Sequence, residues 1–568
     1  MRNAQSWFRV AGRFLVLGVV AWTAACGRDE EGKEDTGKAR PATEQVERGG
    51  TAILAELQDM DKPLPFVYES ALDGDMVDVM YMALLRGSWR DGRQVFLTSH
   101  DSPMALAWHW EYVGPDSTAI RYRMRSGLRW SDGQPITARD VVWTYDMVRD
   151  PRVASPRQDY TENIDSVRAE NDSTVVFHFK RRNPEMLYHS GLPIAPRHAF
   201  EGANPAEFRT HPRLANPGNG NLVVSGPFMI GSWARGQQVV LVPNPHFPVR
   251  PNLDQIVIRV IPDPTTRLVE LQTEKVDFTR PIPHDQIPRL RQQTPHIRFE
   301  REQKRNYDYI AYNPRRVEAF ADPEIRRALG LAIDVPAIIR ALRMEEYSVP
   351  GSGPYAPIFR DLYDPQRMRP LPYDTAQARR ILESKGWRDT DGDGILDRNG
   401  RPFRFTLVTN TGNQRRTDVQ QIVQQQLRRI GVDVQLQQIE FNTFQDRLIN
   451  KNFEAALGNW GVGLSADLSE LWGEDSPFNF VSYRNPEVTR LFEQALSQPT
   501  SELANPYWRQ AAELIARDQP YTWLYYFDQV DGVNNRLKGM KIDTFGSYQN
   551  AWEWWIPRDQ QRARTTVR

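Results

Sequence analysis

The sequence predicts a mixed α/β protein, and three observations carry that expectation. Strand and helix signals alternate along the chain, no repeat period is visible, and the apolar spacing switches repeatedly between two and about 3.6 residues. The first strand signal is TAILAEL from Thr51, a short apolar run of the kind buried on both faces. Next, Ile120, Tyr122 and Met124 alternate with Arg121, Arg123 and Arg125, which predicts one face inward and one in water. A second buried strand is DQIVIRVI from Asp254. A helix follows at Asp322-Pro323, an N-cap and a first-turn proline, with Ile325, Ala328, Leu329 and Ala332 on one stripe. Further on, Val419, Ile422, Val423, Leu427 and Ile430 have helical spacing, Gly431 suits a left-handed helix end, and Val432, Val434 and Leu436 alternate as a strand. The 41 prolines point to a loop-rich architecture.

The N-terminus reads as an export signal. Arg2, Arg9 and Arg13 precede the apolar run FLVLGVVAW, which gives way to Thr23, Ala24, Ala25 and then Cys26. The run is about a dozen residues, short of the roughly 20 that a membrane-spanning helix requires. Cys26 directly after small residues resembles the lipobox of bacterial lipoproteins, although Thr23 stands where that motif has Leu. The expectation is a signal peptide over 1–25, cleavage before Cys26 and acylation of its sulfur; the alternative is a soluble secreted protein with an incidental thiol. Residues 26–47 have almost no apolar side chains and read as a flexible leash.

Composition narrows the function. One cysteine excludes internal disulfides, so the fold must rest on its core. A length of 568 residues permits this and allows about two to four domains or one large composite. Lys plus Arg and Asp plus Glu are 72 each, and this zero net charge argues against nucleic-acid binding. No phosphate-binding glycine loop ending in Lys and Ser or Thr is present, nor a helical His-Glu-x-x-His pair, nor a Gly-x-Ser-x-Gly elbow. Gly351-Ser352-Gly353, between Pro350 and Pro354, reads as a turn, and His178 in TVVFHFK as structural. Dispersed carboxylates leave room for an enzyme, such as a lipid-anchored hydrolase.

One local pattern suggests a cation. In DTDGDGILD, Asp389, Asp391, Asp393 and Asp397 occupy positions 1, 3, 5 and 9 of a calcium-loop pattern with Gly394 at the bend, but position 12 is Gly400 instead of the bidentate glutamate. The competing reading, which we favour, is a solvated Asp-Gly turn. No other cofactor is expected.

Several longer segments together resemble one family. GLRWSDGQPITARDVVWTYD from Gly127 carries an Asp-Gly turn and the capping pair Thr137 and Asp140. It is followed by SGPFMIGSWARGQQVVLVPNPHF from Ser225, YIAYNP from Tyr309, FADPEIRRALGLAID, QQQLRRIGVDVQL from Gln424, RNPEVTRLFEQA from Arg484 and DQPYTWLYY from Asp518. In this order they resemble the extracytoplasmic solute-binding proteins of ABC importers, family 5, the oligopeptide, dipeptide and nickel group. The resemblance implies a two-lobed periplasmic binding protein fold of type II, with mixed sheets, an extra domain in the first lobe and a hinged ligand cleft. It places the first lobe at 48–86, 222–301 and 536–568, the inserted domain at 87–221 and the second lobe at 302–535.

The same resemblance implies a monomer that captures a peptide or peptide-like solute, with no chemistry of its own, and passes it to an ABC permease driven by a separate ATPase. A sensor or chaperone using the same trap without transport is a further alternative. Peptide-binding relatives hold the ligand amine with an aspartate three residues after a tryptophan; here Trp460 is followed at that position by Gly463. Asp467 lies four residues further and either serves a shifted site or caps the next helix. The departure leaves sugars, modified peptides and other solutes open. By resemblance, Trp460 is the leading contact, with Asn459, Gly461, Asp467 and Trp472 on the same segment and Tyr309 and Asn313 on a neighbouring strand. Trp552, Trp554 and Trp555 are expected to bury the chain's end.

Overall fold

The computed structural model describes residues 45–114 and 116–562. Cys26, the signal and nearly all of the leash lie outside the described residues. Among those described, no helix is long and apolar enough to cross a membrane.

Two large mixed sheets organise the chain. The first has seven strands in the order Ile297–Glu302, Gln529–Asn534, Phe278–Thr279, Thr51–Glu56, Gln255–Val260, Gln238–Pro243 and Phe228–Ala234. The second has six: Ser348–Pro350, Tyr521–Phe527, Asn306–Tyr312, Ala455–Gly461, Arg404–Asn410 and Asp433–Ile439. In each, the most central strands are apolar on both sides because helices and loops cover both faces. Thr51–Glu56 runs parallel to Gln255–Val260, and Arg404–Asn410 parallel to Asp433–Ile439.

Between Leu97 and Phe228 the chain builds a separate four-stranded antiparallel sheet from Ala107–Val113, Ala119–Met124, Thr174–Phe179 and Ile164–Asn171. Its core is continuous with one face of the seven-stranded sheet. The Asp-Gly turn and capping pair of the sequence organise it. Gly133 takes a left-handed conformation, Trp130 N–H donates to the Gln134 carbonyl at 2.8 Å, and Asp140 accepts from Thr137 N–H at 2.8 Å to start the helix Ala138–Arg149. The second oxygen of Asp140 accepts from Arg197 N–H at 3.0 Å, tying the helix to a distant loop.

The individual sequence expectations for secondary structure agree with the observed elements. Helices occupy Pro323–Leu331 and Gln414–Arg428, Gly431 has φ 82°, and a strand follows at Asp433–Ile439. Gly351 to Gly353 form a turn held by the Tyr526 hydroxyl, and His178 lies within the strand Thr174–Phe179. Trp554 and Trp555 are buried and Trp552 half-buried at the end of the described chain.

Candidate functional site

Only short crossovers join the two large sheets. Residues 303–305 lead from Ile297–Glu302 to Asn306–Tyr312, and Asp528 alone separates Tyr521–Phe527 from Gln529–Asn534. Asp528 braces both: its carboxylate accepts from the Arg301 guanidinium and, at 3.1 Å, from Lys304 N–H. The apolar cores are otherwise largely separate. Trp89 packs from the first body against Phe359 of the second, and Tyr347 reaches back the other way. Bodies with their own cores and thin connections are free to move about the connections.

Three cavities lie where the bodies meet. One of about 320 Å³ lies between residues 89–188 and 359–505. A second, of about 930 Å³, flanks the crossovers and is lined by Arg267, Arg289, Lys304, Arg343 and Arg415. The third, of about 600 Å³, lies on the other flank beside Arg301, Tyr347 and Asp543. Across the first cavity a two-stranded hairpin, Arg86–Arg90 with Arg93–Leu97, and the four-stranded domain grip the second body. Arg93 pairs with Asp361 at 2.7 Å, Arg182 donates to the Pro499 carbonyl at 3.3 Å, and the Ser501 hydroxyl donates to the Pro184 carbonyl at 3.4 Å.

An aromatic stack lies on the six-stranded sheet. Tyr309 stacks on Tyr521 with ring centres 4.2 Å apart, Trp460 lies nearly parallel to Tyr309 at 6.4 Å, and Phe480 stacks on Trp460 at 5.1 Å. Gly458 is required here, because a Cβ would sit 2.6 Å from the Tyr309 hydroxyl. Trp460 is half-buried, and Gly461, which pairs with Asn306, is exposed at the strand end. Asn459 turns its amide onto the Tyr307 carbonyl at 3.1 Å and Asp308 at 3.0 Å. Asp308 is fully buried and accepts from Arg415 and, at 2.8 Å, from the Tyr525 hydroxyl.

The other residues expected at the cleft occupy different places. Tyr309 and Trp472 are 1% and 2% exposed and belong to an apolar core of the second body. Asn313 is fully buried and donates to the Lys451 and Phe453 carbonyls at 2.9 and 2.8 Å, clamping a turn. Asp467 accepts from Ser469 N–H at 2.8 Å, next to the N-cap position Leu468 of the helix Ser469–Trp472.

What the sequence reading missed is the residue opposite Asp467. Glu185, from the four-stranded domain, is 7% exposed and lines the 320 Å³ cavity. Burial together with the Asp467 charge pushes its carboxyl up to about 7, while the Ser465 hydroxyl and the Ala466 N–H oppose that rise. Burial raises the Asp467 carboxyl as well. Glu185 follows Pro184 in an ordinary polar loop, and no local pattern marks it.

At the acidic turn, one oxygen from each of Asp389, Asp391 and Asp397 falls within a 4.8 Å cluster, and Asp393 is outside it. The loop satisfies its own carboxylates: Asp389 accepts from Gly392 and Gly394 N–H at 2.7 and 3.0 Å, Asp393 from Ile395 at 2.7 Å, and Asp397 from Thr390 at 2.9 Å. Such Asx-type bonds are what a free turn makes.

Comparison with known proteins decides the kinship. Residues 103–479 match the sequence profile of the middle region of the bacterial extracellular solute-binding proteins, family 5. The chain belongs to that family. It is 28% identical over 454 residues to the oligopeptide-binding protein AppA of Bacillus subtilis, covering 78% of this chain and 81% of that protein. It is 26% identical over 492 residues to Protein XP55 of Streptomyces lividans, covering 83% and 87%. The solved structure of B. subtilis AppA in complex with a nonapeptide superposes with a TM-score of 0.74 at 25% identity, over 90% of this chain and 100% of that one. The fold is therefore the two-lobed periplasmic binding protein fold of family 5, and the family is extracellular.

Proposed function

We propose that the protein captures a peptide or peptide-like solute outside the cytoplasm and delivers it unchanged to an ABC permease powered by a separate ATPase. The observation that carries this reading is the pair of bodies with separate cores, joined by two short crossovers, with cavities at their junction. Binding energy in such a trap comes from closing the jaws over a desolvated ligand. The likeness to AppA, an oligopeptide-binding protein, supports the solute class. In this reading the seven-stranded sheet with its four-stranded insertion is one jaw and the six-stranded sheet the other. The protein works as a monomer, without catalysis, tethered through acylated Cys26. The acidic turn at Asp389 is structural.

Titration of tryptophan fluorescence with defined peptides tests the central part. A saturable change with the peptide recovered intact is expected, and consumption of the peptide by purified protein would refute the reading. Labelled palmitate entering the protein, and failing to enter Cys26→Ser, is the expected outcome for the tether.

A further inference from the structure

The end of the six-stranded sheet away from the crossovers carries a basic pit that solute capture does not use. Asn306–Tyr312 leaves the crossover and runs roughly 20 Å along the sheet before the turn that holds Arg315 and Arg316. There a pit of about 340 Å³ opens between that turn, the strand Arg404–Asn410 and the helix Phe441–Ile449. Its walls present two guanidiniums, Arg316 and Arg447, and a single carboxylate, Glu454, which accepts from Thr406 N–H at 2.6 Å. Neither arginine has a carboxylate within ion-pair distance among the described residues, whereas Arg404, Arg415, Arg490 and Arg517 of the same body are all paired. Neutral groups orient them instead. Arg316 donates to the Asn452 side-chain oxygen and Arg447 to that of Gln437 at 2.9 Å, which fixes each fork and leaves its charge uncompensated. Positive charge is concentrated around the pit as well. Lys451, one residue before Asn452, has its amine pushed down by partial burial and then by the charges of Arg315 and Arg484. Cations held this close repel one another, and an anion between them relieves the repulsion.

We propose that this pit is a second binding site, separate from the solute cavities, that takes a phosphate group between the guanidiniums of Arg316 and Arg447. Planar guanidinium forks match phosphate oxygens two at a time, and Thr406 and Asn452 on the same walls add neutral donors. At about 30 Å³ per water the pit has room for roughly ten waters, so a small organic substituent fits beside the phosphate. Such a group arrives either as a free phosphate monoester or as the headgroup of an anionic phospholipid, and the same two arginines serve both.

Calorimetric titration of the purified protein with glycerol phosphate, and co-sedimentation with phosphatidylglycerol vesicles against phosphatidylcholine vesicles, separate the two sources. Wild type is expected to bind at least one probe, and Arg316→Gln with Arg447→Gln to weaken that binding about tenfold or more. Binding of glycerol phosphate assigns the site to a soluble monoester; sedimentation with phosphatidylglycerol alone assigns it to a lipid. Arg315→Gln with Arg484→Gln, outside the pit, is expected to change the affinity less than about threefold. Binding of neither probe by wild type, or an affinity within about twofold of wild type in the first double variant, would overturn the proposal. Equal losses from the two pairs would show a diffuse charge effect and overturn it too. Arg316 is exposed, so Arg316→Gln alone keeps the test decisive if the double variant misfolds: a loss of about fivefold is expected, and unchanged binding sinks the site.

Discussion

Two buried carboxylates in this molecule are treated in opposite ways, one given a cationic partner by the chain and the other not. Asp277, fully buried beneath the seven-stranded sheet, receives both Nε and a terminal nitrogen of Arg536 at 2.5 Å, and Ile53 N–H at 2.8 Å. Arg536 itself donates to the Thr51 carbonyl at 3.3 Å, so one guanidinium ties the first strand to the segment after the last. Burial still raises the Asp277 carboxyl, against the pull of Arg536. Glu185 is nearly as buried but has only neutral donors and a second carboxylate beside it. Where the charge is architectural the chain supplies its partner; at the junction of the jaws it does not.

The most severe way to break the comparison is to remove the partner. Arg536→Ala leaves Asp277 buried without a counter-charge, and urea unfolding is expected to show a loss of about 3–5 kcal/mol. A loss below 1 kcal/mol would mean that Asp277 is hydrated and the contrast unreal.

Next in size is the pH dependence of Glu185. Its carboxyl rises from 4.5 to about 7 on folding, so the ionised form is disfavoured in the folded state. Its stabilising contribution is complete below pH 4.5 and is lost as pH climbs through about 7, a change of up to about 3 kcal/mol. Wild type without ligand is expected to lose stability over that window relative to Glu185→Gln, whose amide does not titrate. Parallel pH profiles would remove Glu185 from the account.

The acidic turn sharpens the comparison from the other side, since its carboxylates are exposed and satisfied by their own loop. Millimolar calcium is expected to leave the melting temperature within 1 °C, a shift worth well under about 1 kcal/mol. A rise of several degrees would make Asp389, Asp391 and Asp397 a metal site.

Much of the fold was legible because its signals are local. The helix Gln414–Arg428, the left-handed Gly431 and the following strand are written in consecutive residues, as is the capping pair Thr137 and Asp140. The candidate site was legible only in part. Trp460 and Asp467 are singled out only because their segment resembles a family's cleft, and Tyr309, Trp472 and Asn313 are residue types that serve a core as readily as a site; all three of these are buried. Glu185 could not be found at all, since its unusual carboxyl arises from a contact between bodies remote in sequence.

The most direct test of the whole account is native mass spectrometry of the protein purified from its own cells under non-denaturing conditions. A bound solute that is released intact on denaturation is the expected result. Protein that cleaves its solute during the measurement would contradict the trap itself.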